Sequence, residues 1–344
     1  MSLCPLQFSM SNENPLVPSS PPEVRFPVAE YLGGRRIDAV VGRELRNHTR
    51  FRIHRLVRAG AVLIDGQVAD IRQRVYPGQQ IRVRLLEPPD KLLRATPSSL
   101  EVIYEDRWLV AVNKPAGMII HPAEVDRADT LVNALQWHLD QTAVAAGLLR
   151  PGIVHRLDRD TSGVVVATKD HLSHRRLSIG FQERTIRKTY LAMVEGHPAE
   201  DDGTIDTPLG QVTDPESHLV SAADDAINPR PAQTDYSVLE KFDGWSVIEA
   251  RPLTGRLHQI RVHLASIGHP LLGDPFYGPR GEIRRDRSGT LLIEPPAAPP
   301  WPAIDRQALH AHSLSFEHPI TGRPLTIESP LAEDLSRLLS DARR

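Results

Sequence analysis

The stretch that decides how this chain is interpreted is His155-Arg156-Leu157-Asp158-Arg159-Asp160-Thr161-Ser162-Gly163. The β-branched residues Val164 to Val166 follow it and predict a buried strand, because such side chains suit a pleated surface. Asp158 is therefore expected in a tight loop on a rigid edge, where proteins usually place reactive groups. Arginines on both sides of Asp158 favour its charged form, since a nearby cation lowers the pKa of a carboxyl group. The stretch predicts a carboxylate suited to act as a nucleophile or to stabilise a sugar cation.

This stretch resembles the signature loop of the RluA family of RNA pseudouridine synthases, whose pattern runs His-Arg-Leu-Asp-x-x-Thr-Ser-Gly. Two further stretches resemble the other motifs of the family, in the right order: Lys188-Thr189-Tyr190 and Thr254-Gly255-Arg256-Leu257-His258-Gln259-Ile260-Arg261-Val262-His263. Shorter matches are Asn113-Lys114-Pro115-Ala116-Gly117, Gly268-His269-Pro270 and Gly273-Asp274. The resemblance covers residues 99 to 333 and implies an enzyme that isomerises specific uridines to pseudouridine in RNA.

The resemblance implies three catalytic residues, Asp158, Tyr190 and Arg261. Asp158 would act on the C1′/C2′ region of a flipped-out uridine, because breaking the glycosidic bond builds positive charge at C1′. The sequence leaves open whether Asp158 bonds to the sugar or removes the C2′ proton to give a glycal. Tyr190 would stack beneath the target base and help remove the C5 proton. Arg261 would pair with Asp158 and fix its orientation.

Other matched residues are expected to contact the RNA. Extruding a base from its stack costs a few kcal/mol, and Arg156 resembles the family residue that takes the place of the flipped nucleotide. His155 is assigned to the same RNA-binding group, and Arg256 is assigned to the RNA backbone or to support of its own loop.

No cofactor or metal is expected. Pseudouridine formation needs no redox change and no group donor, and the chain has no glycine-rich phosphate loop. His258 and His263 are five positions apart, which separates their side chains on a helix or a strand. His310 and His312 would share a strand face but lack a third ligand at a recognisable spacing.

A basic segment precedes the catalytic motifs. The whole chain has a net charge of −2, yet residues 33–89 contain twelve arginines against five acids, a local charge of +7. Local fields rather than net charge attract phosphates. A helix is predicted over Phe51 to Ala59, with its apolar face inward and three arginines outward: Arg52, Arg55 and Arg58. Strands are expected at 61–67, which enters an Asp-Gly turn, and at 80–86. This pattern resembles the S4-type RNA-binding domain.

Five segments are predicted along the chain: a disordered leader (1–30), the S4-like domain (31–89), a stiff linker (90–99), a catalytic domain (100–335) and a tail (336–344). The predicted fold class is α+β, with a mixed-sheet catalytic domain preceded by a small α/β domain. Residues 280–306 are expected to form a surface loop. The acidic pair Glu333-Asp334 is assigned to a solvated helix near the tail.

The expected partner is RNA, either large-subunit ribosomal RNA or a pre-ribosomal particle. No apolar run approaches the ~20 residues of a membrane span, and the single cysteine, Cys4, fits a reducing cytoplasm. A monomer is expected. The alternatives are a transfer RNA substrate, a non-catalytic RNA-binding or ribosome-assembly factor, and a sugar hydrolase that uses Asp158. The last lacks an obvious partner carboxylate at the loop.

Overall fold

A computed structural model describes residues 23–46, 48–84, 95–121, 129–142, 150–212, 219–224, 226–284, 291–292 and 303–344. The chain divides into two units: one holds the described residues up to 84, and the other holds those from 95 onward. Within the described residues, no helix has the length and apolar character needed to cross a membrane.

The N-terminal unit combines two short helices with a small antiparallel sheet. Its elements are β1 (Glu23–Pro27), β2 (Arg35–Arg36), α1 (Ile37–Glu44), α2 (Arg50–Arg58), β3 (Val62–Ile64), β4 (Gln67–Val68), β5 (Arg74–Val75) and β6 (Gln80–Arg84). The sheet order is β1-β6-β3-β4, and β2 pairs separately with β5. Asp65 and Gly66 both have positive φ, 50° and 87°, as the predicted two-residue hairpin turn requires.

The leader was predicted to extend to residue 30, but the first strand already begins at residue 23. Residues 1–22 lie outside the described part, but residues 23–27 form β1, which pairs antiparallel with β6. Val24 and Phe26 alternate inward and are buried, which is the period of a half-buried strand. The surrounding prolines obscured this pattern in the sequence, although a proline at the end of an edge strand, here Pro27, is well tolerated.

The apolar face predicted for α2 is confirmed. Ile53, Leu56 and Val57 are buried, whereas Arg58 is exposed and Arg52 is half-buried. The structure does not describe the side chain of Arg55. Of the predicted linker, residues 95–99 contain no helix or strand, and residues 90–94 lie outside the described part.

The second unit is built on one large mixed sheet. Its strands are β7 (Glu101–Glu105), β8 (Leu109–Lys114), β9 (Gly152–Ile153), β10 (Ser162–Thr168), β11 (Arg187–Glu195), β12 (Asp202–Asp206), β13 (Leu209–Gln211), β14 (Val220–Ser221), β15 (Ile227–Arg230), β16 (Gln233–Phe242), β17 (Trp245–Pro252), β18 (Leu309–Glu317) and β19 (Pro324–Glu328). Its helices are α3 (Leu131–Thr142), α4 (His171–Gln182), α5 (Gln259–Ser266) and α6 (Glu333–Ala342).

The large sheet has ten strands in the order β12-β16-β17-β11-β18-β10-β8-β7, with β19 beside β18 and β9 beside β10. β10 and β18 run parallel, whereas the other recorded pairs of this sheet are antiparallel. β13, β14 and β15 form a separate small sheet. The α+β class and the mixed sheet predicted from the sequence are therefore confirmed.

Strand β10 is buried along its whole length, and the signature loop leads into its N-terminal end. Val165 and Ala167 pack into an apolar cluster that includes residues of α3, whereas Val164 and Val166 pack into another that includes Leu177 of α4. Burial on both faces explains why the sequence here is a continuous apolar run rather than an alternating one.

Gly163 lets β10 approach β18 closely. It lies opposite Ala311 in the parallel ladder and has a φ of 114°, in the region that favours glycine. A Cβ at this position would lie 2.2 Å from the carbonyl oxygen of Ala311. The glycine that ends the signature loop is therefore required by the strand packing that holds this loop.

Gly163→Ala is expected to lower the free energy of unfolding by about 3 kcal/mol or more, because strain from positive φ adds to overpacking against Ala311. Gly322→Ala is the matched control, since Gly322 has a φ of 69° but no atom within 4 Å of an added Cβ. The control should cost only about 1 kcal/mol. Urea unfolding of both variants measures the difference, and equal losses would contradict the packing argument.

The predicted boundary at residue 335 is wrong, because α6 continues to Ala342. Leu335, Leu338 and Leu339 lie on one face of this helix and are buried in an apolar cluster with Trp245. Leucines at this spacing form the buried stripe of an amphipathic helix. Most of the predicted tail, residues 336–342, is therefore part of the second unit.

Candidate active site

A cavity of about 590 Å³ lies in the second unit, between the signature loop, strand β11 and the segment that enters α5. The three residues predicted to be catalytic, Asp158, Tyr190 and Arg261, all line it. They come from three separate motifs, and Asp158 and Arg261 are 103 positions apart in the sequence. The fold brings all three to one cavity.

The Asp158 carboxylate is held by Arg261, whose Nη1 lies 3.3 Å from Oδ2 of Asp158. The same guanidinium donates from Nε and Nη2 to the two carboxylate oxygens of Asp274, at 2.7 and 2.8 Å. Asp274 has a fully buried side chain, and that of Arg261 is only 3% exposed. The bidentate pair with Asp274 therefore fixes the plane of Arg261 and leaves Nη1 for Asp158.

Burial by itself would lower the pKa of Arg261, but the charges of Asp274 and Asp158 outweigh it and raise the pKa above its usual value. The guanidinium carbon also lies 5.0 Å from the centre of the Tyr277 ring and 5.7 Å from that of Phe276. Such contacts favour a cation over the ring face. Arg261 is thus a permanent, immobile positive charge beside the predicted catalytic carboxylate.

Tyr190 lies on β11 next to an irregularity in the pairing with β18, between Thr189 and Tyr190. Bulges of this kind re-aim side chains and are common beside active sites. Tyr190 packs against the apolar clusters on both sides of it and presents its ring to the cavity. Burial, together with the charge of Asp158, raises the pKa of Tyr190, so its hydroxyl stays protonated. This favours stacking over proton removal as its role.

Two buried basic side chains hold the backbone of the signature loop. Lys114 donates from Nζ to the carbonyl oxygen of Arg159 at 2.9 Å, and Nη1 of Arg306 donates to that of Asp160 at 3.0 Å. Burial lowers the pKa of Lys114 to about 7. Arg306 is in turn paired with Asp334 of α6, at 2.6 and 2.8 Å. Residues 159 and 160, directly after Asp158, are therefore fixed from both sides.

These contacts correct two expectations. Arg306 and Arg284 are buried, so residues 280–306 are not simply a surface loop, although residues 285–290 and 293–302 lie outside the described part. Asp334 is not only a solvated acid of a tail helix, because it orients Arg306. Long-range pairs such as this one carry no local signal in a single sequence.

His155 holds the loop from its other end. Its Nε2 accepts a hydrogen bond from the backbone N–H of Val166 at 3.0 Å, and its ring stacks on Phe181 at 4.9 Å. Burial lowers the pKa of His155 to about 4, so the ring is neutral and can accept this bond. The structure thus gives His155 an anchoring role, and contact with RNA stays a prediction.

Cationic side chains surround the cavity. Arg156 is exposed and lines it, as a residue that replaces a flipped base should. Arg256 also lines it, and its Nε donates to the carbonyl oxygen of Pro231 at 3.1 Å, which supports its own loop. Lys188 donates to the carbonyl oxygen of Thr254 at 2.7 Å, and burial lowers its pKa to about 8. RNA contacts by Arg156 and Arg256 stay predictions.

His258, for which no role in the site was predicted, also lines the cavity. Its Nε2 is 3.9 Å from Oδ2 of Asp158, and its Nδ1 is 2.7 Å from the hydroxyl of Tyr277. His263, by contrast, is buried and bonds to Thr234 and to the carbonyl oxygen of Thr207. The two histidines are separated as their spacing predicts. His258 lies in the same quoted motif as Arg261, which could have drawn attention to it, but its contact with Tyr277 is tertiary and has no signal in the sequence.

The described residues contain no group of three or more side chains arranged to hold a metal ion. His310 is buried and accepts a hydrogen bond from the Ser162 hydroxyl at 2.9 Å. What the cavity offers is a fixed carboxylate, a tyrosine ring and several N–H donors. Such a set can stabilise positive charge at a carbon beside Asp158 while a planar ring lies on Tyr190.

Comparison with known proteins identifies the family to which the chain is similar. A family model described as RNA pseudouridylate synthase matches residues 108–266. YlyB of Bacillus subtilis (strain 168), named an uncharacterized RNA pseudouridine synthase, is 35% identical over 322 residues, which cover 94% of this chain and 99% of YlyB. Ribosomal large subunit pseudouridine synthase D of Pseudomonas aeruginosa is 37% identical over 311 residues, which cover 90% of this chain and 92% of that relative.

A solved structure has a similar fold. Human RNA pseudouridylate synthase domain containing 1 is 27% identical, with a TM-score of 0.50. The match covers 72% of this chain and 97% of the human chain. The part shared with that structure is thus smaller than the part shared with the bacterial relatives.

Proposed function

The chain belongs to the RNA pseudouridylate synthase family, of the RluA type whose motifs it carries, and on that premise we propose that it modifies large-subunit ribosomal RNA. It is an RNA pseudouridine synthase, an isomerase that moves uracil from an N1 to a C5 linkage on one ribose. The observation that carries the proposal is the placement of Asp158, Tyr190 and Arg261 around one cavity. The large-subunit target is supported by the names of several relatives.

In the proposed reaction, Asp158 faces C1′ of the flipped uridine. When the N1–C1′ bond breaks, its electron pair stays on uracil, and the carboxylate either bonds to C1′ or removes the C2′ proton. Uracil then turns so that C5 bonds to C1′. At this point the Asp158–C1′ bond breaks in the first case, or Asp158 returns the proton to C2′ in the second. The proton lost from C5 is balanced by the one that N1 gains, so the net change is an isomerisation. Arg261 keeps the carboxylate oriented toward the sugar, which a group that must stabilise a sugar cation requires.

The remaining cavity residues would handle the nucleotide. The ring of Tyr190 supplies an apolar surface for the uracil, and exposed Arg156 would take the place of the extruded base in the RNA. Single-stranded loops release their bases at the lowest cost, so a helix loop of the ribosomal RNA is the expected substrate.

The direct test is mass-spectrometric mapping of pseudouridine in ribosomal and transfer RNA from cells with and without the gene. A site lost from large-subunit RNA, and regained on incubation with the purified protein, supports the proposal. A site lost only from transfer RNA would contradict the proposed substrate while keeping the reaction. No loss in either pool would remove ribosomal RNA from the proposal.

We also propose that the N-terminal unit is the S4-like RNA-binding domain. Helix α2 carries arginines on the face away from its core, and the exposed residues of this unit include Arg35, Arg43 and Arg58. Two tyrosines, Tyr31 and Tyr76, are 65% and 58% exposed. Exposed aromatic rings beside arginines are a common platform for RNA bases and phosphates.

Replacing Arg52, Arg55 and Arg58 together with alanine is expected to weaken RNA binding and flatten its salt dependence. Each lost phosphate contact should lower the slope of log affinity against log salt by about 0.7–0.9. The charge-matched control replaces Arg323, Arg337 and Arg344, exposed residues of the second unit. Filter binding at several salt concentrations measures the slopes. An unchanged slope in the first variant, or an equal change in the control, would contradict a docking role for α2.

A cytoplasmic location and a monomeric state are part of the same proposal. Ribosomal RNA as substrate and a chain with one cysteine both fit the cytoplasm. The RNA could be bound as part of a pre-ribosomal particle rather than as free RNA. Incubating the purified protein separately with each of these substrates, and measuring pseudouridine in both, distinguishes the two.

A further inference from the structure

His258 lies beside Asp158 but has no role in the reaction proposed for Asp158, Tyr190 and Arg261. Its backbone has a φ of 52°, in the left-handed region that residues other than glycine seldom adopt. Strain of this kind persists where the surrounding structure enforces it, and it is concentrated at functional sites. His258 immediately precedes α5, and its side chain is only 15% exposed although it lines the cavity. Both the backbone and the side chain are therefore held in place for the cavity.

The hydrogen bonds of Tyr277 determine which nitrogen of His258 carries the proton. Tyr277 is fully buried, and its hydroxyl oxygen accepts the N–H of Val220 at 3.2 Å. A buried hydroxyl proton needs an acceptor, and within the described residues Nδ1 of His258, 2.7 Å away, is the group placed to accept it, since the other partner of the hydroxyl, Val220, is a donor. Burial lowers the pKa of His258 to about 4, so the ring is neutral. The single ring proton is then on Nε2.

This assignment leaves one N–H donor facing the cavity. The Nε2 atom is 3.9 Å from Oδ2 of Asp158, which is too long for a hydrogen bond. Arg261 already orients the carboxylate from 3.3 Å. His258 therefore cannot accept a proton through Nδ1, and it is not needed to position Asp158. Its N–H remains available for a bound molecule at the place where the sugar and base would meet.

We propose that His258 is a further catalytic residue, whose Nε2–H donates a hydrogen bond to the uracil as the glycosidic bond breaks. The proposal rests on the role of Asp158 at C1′, because that role places N1 and O2 of the uracil near both side chains. The N1–C1′ electron pair stays on uracil, and its negative charge spreads over N1 and the carbonyl oxygens. No proton is transferred, since neutral His258 keeps its proton and stabilises the anion.

The expected loss of rate is based on hydrogen-bond donors in other active sites. Removing one donor that points at developing negative charge typically costs about 10²–10³ in kcat. His258→Leu removes the donor, whereas His258→Gln retains an N–H near the position of Nε2. Leu and Gln would both have to adopt the positive φ of position 258, so the backbone strain is the same in the two variants. Comparing their melting temperatures therefore shows whether either variant is less well folded.

The test measures the single-turnover rate at which the N1–C1′ bond breaks in a synthetic RNA hairpin that carries uridine or 5-fluorouridine at the mapped position. The readout is loss of the starting nucleotide, because 5-fluorouridine has no C5 proton to lose and cannot complete pseudouridine formation. Fluorine withdraws electrons and stabilises the departing anion, so the donor matters less. His258→Leu should lose about 100-fold or more on uridine but severalfold less on 5-fluorouridine, and His258→Gln should recover at least tenfold. RNA affinity should stay within about threefold. Equal losses on both substrates, or equal losses for Leu and Gln, would overturn the proposal.

Tyr277→Phe provides a second variant that keeps the ring beside Arg261 and removes the hydroxyl that fixes the tautomer of His258. It should lose about tenfold on uridine, again with a smaller loss on 5-fluorouridine. A wild-type rate in this variant would overturn the tautomer assignment. Failure of the wild-type protein to convert the hairpin would instead contradict the proposed substrate, so the two failures are distinguishable.

Discussion

Asp158→Asn is expected to abolish pseudouridine formation while RNA binding changes by no more than a few-fold. The substitution is nearly isosteric, so the loop and its contacts with Lys114 and Arg306 should survive, because these contacts use backbone carbonyls. An amide cannot bond to C1′, remove the C2′ proton or offset a full positive charge. The single-turnover rate should therefore fall at least 10⁴-fold, the scale on which loss of a catalytic nucleophile or base is felt.

Asp160→Asn is the matched control for this experiment. Asp160 lies two residues further along the same loop, and its side chain is bonded to Arg159 rather than lining the cavity. The control should keep a rate within a few-fold of wild type. Substantial pseudouridine formation by Asp158→Asn would show that this carboxylate is not needed for the chemistry. An equally large loss of rate in Asp160→Asn would show that the loss comes from a disturbed loop structure.

Local patterns in the sequence were sufficient to predict several elements of both units. The β-branched run predicted β10, the spacing of Ile53, Leu56 and Val57 predicted the buried face of α2, and Asp65-Gly66 predicted a hairpin turn. Each of these depends on neighbouring residues only. β1 was missed because its five residues lie among prolines and gain their stability from pairing with β6.

The signature residues could be named from motifs, but their supports could not. Arg261 uses two of its nitrogens for Asp274, and Arg306 reaches the loop from a position 146 residues after Asp160. A hydrogen bond to Tyr277 determines the tautomer of His258. These pairs arise from tertiary packing, and no spacing in the chain encodes them. The sequence therefore predicts which groups react, and the structure shows what holds them.

Arg261→Met is expected to destroy activity and to destabilise the fold, because Arg261 serves two carboxylates. Its loss would leave the fully buried charge of Asp274 unpaired, which typically costs about 3–5 kcal/mol. Asp158 would at the same time lose the donor that orients it. Arg256→Met is the control within the same motif, since Arg256 is half-buried and bonds only a backbone carbonyl among its recorded side-chain contacts. It should change the free energy of unfolding by less than about 1 kcal/mol.

A double variant separates the two roles of Arg261. Asp274→Asn removes the buried charge, while its side-chain oxygen can still accept the N–H groups of Phe276 and Tyr277, as Oδ1 of Asp274 does at 2.9 and 3.2 Å. Combined with Arg261→Met, it should recover more than about half of the lost stability, because no unpaired charge is left in the interior. Activity should stay lost, since Asp158 still has no guanidinium partner. Urea unfolding and single-turnover rates measure the two effects separately. If the double variant regained activity, Arg261 would act only by neutralising Asp274, and orientation of Asp158 would have to come from elsewhere in the cavity.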